Sequence, residues 1–304
     1  MTLELRGKGM RSSNEARVKV SEPRDIHKIA QRARAMVVQT AALSGGGHIG
    51  GPLSAADILA VLYFHVMNVR PSEPTWEQRD RFVLSKGHSS LALYAILSLR
   101  GYFEPSEMST FGAVDSRLQG HPDMTKLPGI DMSTGSLGLG FTAAVGMALG
   151  AQRRGSRERI YVMLGDGECQ EGAVWEGAHI AQRYKLDNLC AVLDCNGLQQ
   201  YGWPGASGSR EAPWAGRMLE GVFEAFGWAT KVVDGHDVEA LEEAFAWAET
   251  TKGRPAVVIA KTVKGKGVKF MEGDFTWHSR VPTEGELAAA LSELEGEAGG
   301  SEGA

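Results

Sequence analysis

Residues 159–197 read RIYVMLGDGECQEGAVWEGAHIAQRYKLDNLCAVLDCNG, with a short apolar run near each end. Runs of this length predict two buried β-strands, and the pattern over 171–184 predicts a helix between them. Strands joined through a helix pair in parallel. Asp166 follows the first run and Asn196 follows the second. Because ligands bind beyond the carboxyl ends of such strands, we expect both side chains at one edge of the sheet.

The same alternation continues through the rest of the chain. Further short β-branched or apolar runs predict strands at 81–85, 229–234 and 255–263, and helical patterns lie at 25–44, 54–67 and 237–250. Strands that alternate with helices predict an α/β fold of three layers, a parallel sheet with helices on both faces. Ser54 is expected to cap the helix that begins there, with Asp57 at the spacing of a capping box.

Three regions are predicted along the chain. Residues 1–22 are mildly basic and are expected to form a flexible arm, and residues 23–282 are expected to form the α/β domain. Residues 283–304 begin with a helix-like pattern of Leu and Ala and end in a Gly- and Glu-rich stretch. This last region is expected to be partly disordered.

Composition excludes several classes of function. Of the 304 residues, 43% are hydrophobic and 23% are charged, which is typical of a globular protein with a substantial core. A net charge of −5 argues against nucleic-acid binding, which favours a basic surface. We find no secretory signal and no apolar run long enough to span a bilayer, so no membrane association is expected. Three cysteines without a Cys-x-x-Cys pair indicate reduced thiols in a cytoplasmic protein.

The residues after the two strands have the chemistry of a metal site. Gly165 and Gly167 allow a sharp turn and a close ligand approach, and Asp166 between them supplies a carboxylate. Asn196 adds an amide oxygen, and the loop after it adds a carbonyl. Such oxygen ligands suit Mg²⁺ shared with a diphosphate. The alternative is structural: Gly-Asp-Gly forms a simple turn and Asn196 caps the next element.

The eight histidines fall into two groups. Those inside helical patterns are expected to have only packing or surface roles, namely His27, His65 and His179, and His236 is expected to cap the helix after it. The others lie in glycine-rich or irregular segments, where functional residues concentrate. These are His48 in SGGGHIGGPLS, His88 in LSKGHSSLALY, His121 in LQGHPD and His278 in FTWHSRVP.

Gly-Asp-Gly, a helix, a strand and then Asn resembles the thiamine diphosphate motif. That resemblance implies that Asp166, Asn196 and the carbonyl of Leu198 hold a metal, Mg²⁺ or alternatively Ca²⁺ or Mn²⁺, on the diphosphate of the cofactor. Cys195 stands where the family often has a second asparagine. This departure leaves the ligating position unchanged.

Within the thiamine enzymes, residues 25–282 resemble the transketolase family. Five motifs occur in the family order, namely GHIGGP, SKGHSSLALY, GHPD, TGSLGLGFTAAVGMAL and GDGECQEG. The resemblance implies that the cofactor is lined by His88, Gly135, Leu137, Gly167, Asp166 and Asn196. It also implies that three histidines handle substrate hydroxyls and proton transfers, namely His48, His121 and His278.

Two further positions bear on catalysis. Glu171 matches a glutamate that links paired active sites in the family, although an acid in a first helical turn also has a purely structural explanation. Ser279 follows His278 where full-length transketolases usually have glycine.

The implied activity is transfer of a two-carbon ketol unit from a ketose phosphate to an aldose phosphate. In family enzymes, a second α/β domain places a glutamate against the aminopyrimidine ring of the cofactor. The strands and helices predicted for this chain are enough for one such domain. It therefore resembles the N-terminal subunit of a split transketolase. We expect a C-terminal subunit of about 300 residues as its partner, in a heterotetramer. The alternatives are the α-subunit of a 2-oxo acid dehydrogenase and a catalytically silent relative.

Overall fold

A five-stranded parallel sheet organises the protein. The computed structural model describes residues 23–200 and 215–299, and the sheet order is β1-β2-β3-β5-β4 with every neighbouring pair parallel. The strands are β1 (Arg81–Leu84), β2 (Ile160–Gly165), β3 (Leu189–Cys195), β4 (Ala229–Asp234) and β5 (Ala256–Lys261). Each coincides with one of the predicted strands, so the predicted α/β fold with a parallel sheet is confirmed.

Helices cover both faces of this sheet. They are α1 (Pro23–Ser44), α2 (Gly50–Val61), α3 (Ser90–Arg100), α4 (Leu139–Arg154), α5 (Gly172–Arg183), α6 (Ala215–Ala225), α7 (Val238–Thr250) and α8 (Glu284–Gly299). Alternate residues of β2 join separate cores: Tyr161 and Met163 pack with α1, α2, α3 and α7, whereas Val162 and Leu164 pack with α4, α5 and α6. This alternation produces three layers, because successive strand side chains point to opposite faces.

The register of β2 and β3 determines where the functional loops meet. Gly165 at the end of β2 is the register partner of Asp194 in β3. The residues that follow, Asp166 and Asn196, therefore lie at the same edge of the sheet. The backbone N–H of Gly197 donates to Asp166 Oδ2 at 2.7 Å, which joins the two loops directly.

Two of the predicted helix caps are wrong. Helix α2 begins at Gly50, and its buried first turn includes Pro52, a residue that an N-terminal turn accepts. Ser54 and Asp57 are therefore interior residues, and they bond across the fold instead of capping. The cap of α7 is Asp237, whose side chain accepts from Ala240 N at 3.0 Å, and not His236.

His236 belongs to a buried polar cluster. Its Nδ1 lies 2.7 Å from Asp57 Oδ2, and its Nε2 accepts from Val263 N at 2.9 Å. Asp57 also forms an ion pair with Arg34, whose Nε donates to Leu53 O at 3.1 Å. Local sequence spacing cannot identify such contacts, because they join residues that are 23 and 179 positions apart in the chain.

The C-terminal helix α8 packs against α1. Ala290 and Leu294 are buried there. The predicted N-terminal arm, residues 1–22, and the last residues of the predicted tail, 300–304, lie outside the described residues. In the ranges that the structure describes, no helix is long and apolar enough to cross a membrane.

The Arg34–Asp57 pair yields a prediction about stability. Arg34→Met leaves the Asp57 carboxylate buried with His236 as its remaining side-chain partner. We expect a loss of about 3–5 kcal/mol in the free energy of unfolding, measured by urea denaturation. Arg32→Met, on the exposed side of the same helix, is the matched control and is expected to change the free energy by less than about 0.5 kcal/mol. Equal effects from the two variants would contradict the assignment.

Candidate active site

A cavity of about 520 Å³ at the carboxyl edge of the sheet brings the predicted site residues together. Its lining includes His48, His88, His121, Gly135, Leu137, Asp166, Gly167, Glu171, Asn196, Leu198 and His278. These residues come from six separate segments of the chain. The sequence motifs therefore mark one site, although their individual roles remain predictions.

The acidic turn after β2 presents its carboxylate to this cavity. Asp166 Oδ1 accepts from Gly167 N at 2.8 Å, and Oδ2 accepts from Gly197 N. Burial raises the pKa of Asp166 to about 6, and the neighbouring Asp194 carboxylate adds to the rise. A cation bound here would lower that pKa, because it would stabilise the ionised form.

Asn196 lies opposite this turn. Its Nδ2 donates to Ser54 Oγ at 3.3 Å, and its Oδ1 accepts from Leu198 N at 3.2 Å. The carbonyl of Leu198 accepts from Lys264 Nζ at 3.3 Å. The three oxygen donors predicted for a metal therefore line one cavity.

Two buried lysines in the site were missed by sequence reasoning. Lys86 forms an ion pair with Asp194, and the ammonium of Lys264 lies near the carbonyls of Leu198 and Gln199. Burial, together with the nearby Lys86 ammonium, lowers the pKa of Lys264 to about 8. Lys86 lies inside the quoted SKGH motif and could have been found there. No local sequence pattern identifies Lys264 as a site residue, because its contact with Leu198 joins residues that are 66 positions apart.

Glu168, also missed, links three parts of the site. Its carboxylate accepts from Ser85 Oγ, from Gly138 N at 2.9 Å and from Gly165 N at 3.1 Å. A Cβ at Gly140 would lie only 2.7 Å from Ser85 Cα, so the start of α4 can approach the end of β1 only with glycine there. These contacts hold the loop that contains Gly135 and Leu137 beside the acidic turn.

Three of the predicted histidines form a cluster. The ring centroid of His48 lies 5.0 Å from those of both His88 and His278, and the centroids of His88 and His278 are 5.3 Å apart. Burial is the main cause that lowers their pKa values, to about 4 for His48, about 2 for His88 and about 3 for His278, and nearby lysines contribute to each. At neutral pH these imidazoles are uncharged, so each ring has one donor and one acceptor nitrogen.

His121 approaches the cluster from another loop. Its carbonyl accepts from Tyr94 Oη at 3.2 Å, and the neighbouring Gly120 carbonyl accepts from Ser90 Oγ at 2.9 Å. Helix α3 therefore positions this loop through two hydroxyls. His121 is exposed and forms part of the cavity lining.

Glu171 directly precedes α5 and its exposed side chain makes no capping hydrogen bond. The histidines expected to be structural lie outside this cavity lining. His27 contacts Gln31 at 3.2 Å, His65 contacts Glu242 at 3.3 Å, and His179 is exposed.

Comparison with known families gives a match over residues 26–295, to the transketolase thiamine diphosphate binding domain. The chain belongs to the transketolase family. The ordered motifs in the sequence therefore predicted the family correctly, and thiamine diphosphate binding is the property that this domain represents. The match favours the family over the 2-oxo acid dehydrogenase alternative.

Individual relatives extend the comparison. The chain is 41% identical over 273 residues to the 6-deoxy-6-sulfo-D-fructose transketolase subunit of Clostridium sp. strain MSTE9, covering 90% of this chain and 97% of that one. It is 38% identical to an apulose-4-phosphate transketolase subunit of Phocaeicola vulgatus, covering 87% and 92%. The transketolase of Campylobacter jejuni has a similar structure, with a TM-score of 0.78 and 32% identity over 90% of this chain. This chain spans 42% of the length of that solved transketolase.

The histidine cluster yields a prediction about pH. NMR signals of His48, His88 and His278, assigned with single His→Gln variants, are expected not to titrate between about pH 5.5 and 8. An unfolded histidine takes up a proton near pH 6.5, whereas His48 folded does so near pH 4. The chain should therefore lose stability as pH falls from about 6.5 toward 4, and His48→Gln should reduce that loss. Titration of the three rings near pH 6.5 would contradict their burial.

Proposed function

We propose that the chain is the N-terminal subunit of a two-subunit transketolase, which transfers a two-carbon ketol unit from a ketose phosphate to an aldose phosphate. The main support for this proposal is that one cavity is lined by Asp166, Asn196, Leu198 and the four loop histidines. The two relatives named as subunits, which the chain covers over 97% and 92% of their lengths, support the same architecture.

The cavity fits the diphosphate end of the cofactor. Two buried lysines supply positive charge, and Asp166 has a raised pKa that a divalent cation would restore to the ordinary range. The Asp166 carboxylate, the Asn196 amide oxygen and the Leu198 carbonyl would bind the metal together with phosphate oxygens. Mg²⁺ is favoured because it binds few protein oxygens together with phosphates, and Ca²⁺ or Mn²⁺ would use the same ligands. His88, Gly135, Leu137 and Gly167 would line the cofactor itself.

Bound thiamine diphosphate supplies a carbon nucleophile and an electron sink for breaking the bond next to a ketose carbonyl. This chain would orient the sugar and move its protons. His48, His121 and His278 are placed for this, because a neutral imidazole can accept a proton from one hydroxyl and donate to another. His278 Nδ1 lies 2.9 Å from Lys264 Nζ, so the Lys264 ammonium would hold Nδ1 as the acceptor and leave the proton on Nε2.

The second half of the active site would come from a partner. The carboxylates that line the described part of the cavity are Asp166, Glu168 and Glu171. Asp166 and Glu168 are bonded to backbone amides at the diphosphate end. Glu171 is exposed just before α5, so a C-terminal subunit of about 300 residues would provide the glutamate that faces the pyrimidine ring. Glu171, exposed before α5, would lie at the interface of a cytoplasmic heterotetramer of two copies of each subunit.

The metal ligands can be tested by substitution. Asp166→Ala and Asn196→Ala are expected to remove the Mg²⁺-dependent part of thiamine diphosphate affinity, because each deletes one oxygen ligand. Calorimetric titration of the cofactor with and without Mg²⁺, in the presence of the partner, measures the loss. Glu243→Ala on the exposed side of α7 is the control and should bind as the unsubstituted chain does. Unchanged affinity in both site variants would refute the ligand set.

The dependence on a partner can be tested with the purified chain. Supplied with thiamine diphosphate, Mg²⁺ and ribose 5-phosphate, it is expected to show no ketol transfer, because the pyrimidine end of the cofactor is unsupported. Donors to compare are xylulose 5-phosphate, apulose 4-phosphate and 6-deoxy-6-sulfo-D-fructose. Addition of the C-terminal subunit should restore turnover with at least one donor. Normal turnover of the chain alone would overturn the split-enzyme proposal, and silence with the partner would favour a catalytically inactive relative.

A further inference from the structure

Ser54 lies on α2 and is fully buried. Its hydroxyl contacts the side chain of Asn196, one of the proposed metal ligands. Its Oγ is 2.7 Å from Asp194 Oδ2, 2.9 Å from the carbonyl oxygen of Gly51 and 3.3 Å from Asn196 Nδ2. The sequence spacing suggested a helix cap, but the structure gives this hydroxyl partners 140 and 142 positions away.

The hydroxyl has one hydrogen, and two of its three neighbours can only accept one. The Gly51 carbonyl is an acceptor, and the Asp194 carboxylate is an acceptor because it is paired with the ammonium of Lys86. Ser54 must therefore donate to one of these two. Only its lone pairs are left for Asn196, so Asn196 must present its NH₂ group and not its oxygen.

This constraint selects one of the two orientations of the Asn196 amide. The backbone N–H of Leu198, a donor, contacts the opposite side of the amide and requires an oxygen there. Both contacts agree, and Oδ1 is the atom left beside the Leu198 segment, where the proposed metal would be bound. A flipped amide would direct N–H groups at a cation, which repels them.

We propose that Ser54 is a positioning residue that fixes the Asn196 amide with its oxygen toward the metal. The proposal rests on the function proposed above. Asp194 anchors the hydroxyl because it is itself held by Lys86 and by Thr262 Oγ1. The orientation of one metal ligand is thus determined by a chain of buried hydrogen bonds that begins at the ends of β1 and β5.

The test is the Mg²⁺ affinity of the complex with the partner, at fixed thiamine diphosphate, measured by calorimetry and by intrinsic tryptophan fluorescence. Ser54→Ala is expected to weaken Mg²⁺ binding by about 10-fold or more, as substitutions behind a metal ligand do. Saturating Mg²⁺ should restore cofactor binding. Ser98→Ala is the matched control, because Ser98 is also a buried helical serine, and its hydroxyl donates to Ala95 O at 2.9 Å away from the site lining.

A second pair of variants separates orientation from simple packing. Asn196→Asp has two equivalent oxygens and presents one to the metal in either orientation. In this background, Ser54→Ala is expected to change Mg²⁺ affinity by less than about 3-fold, whereas a packing defect would weaken both backgrounds equally.

Three outcomes would overturn the proposal. They are unchanged Mg²⁺ affinity in Ser54→Ala, a loss that saturating Mg²⁺ does not restore, and equal losses from Ser54→Ala with and without the Asn196→Asp substitution. A wrong functional assignment would be distinguishable from a wrong role for Ser54, because the unsubstituted complex would then show no Mg²⁺-dependent cofactor binding.

Discussion

The buried ion pair between Lys86 and Asp194 is the interaction on which the site depends. Asp194 is fully buried and Lys86 is 2% exposed, so neither charge has water to stabilise it. Each charge is stable only while the other is present, because loss of one partner leaves an isolated buried charge at a cost of about 3–5 kcal/mol. Thr262 and Ser54 complete the hydrogen bonds of Asp194. One carboxylate thereby joins β3 to the segment after β1, to α2 and to the segment after β5.

Residues of the proposed site lie in or next to those four elements. His88 lies two residues beyond Lys86, His48 precedes α2, Asn196 follows Asp194, and Lys264 follows Thr262. A change in any element would displace a group on another, because buried networks of this kind act as a unit. The Arg34–Asp57–His236 cluster also stabilises the segment after β5, because His236 accepts a hydrogen bond from the backbone N–H of Val263, next to Lys264. The cavity is therefore built on rigid supports, as a site for an oriented cofactor requires.

Two sets of groups with different charge lie side by side in the cavity. Lys86, Lys264 and backbone amides supply positive charge and hydrogen-bond donors near Asp166. Beside them, the imidazoles of His48, His88 and His278 are kept uncharged by burial and by those same lysines. The positive charge of these lysines, which would favour the proposed diphosphate, thus also helps to keep the three histidines neutral near pH 7.

Sequence patterns predicted the five strands, their parallel pairing, the family and eleven site residues that all line the cavity. These follow from local patterns: apolar runs, glycine-rich turns and ordered motifs act through neighbours in the chain. The sequence patterns misassigned Ser54, Asp57 and His236 as helix-terminal residues, and sequence reasoning missed Lys86, Lys264 and Glu168. Their contacts depend on how the chain folds, because a buried polar side chain takes whichever partners the packing provides. Ser54 meets Asp194 across 140 positions, a distance over which no local pattern carries information.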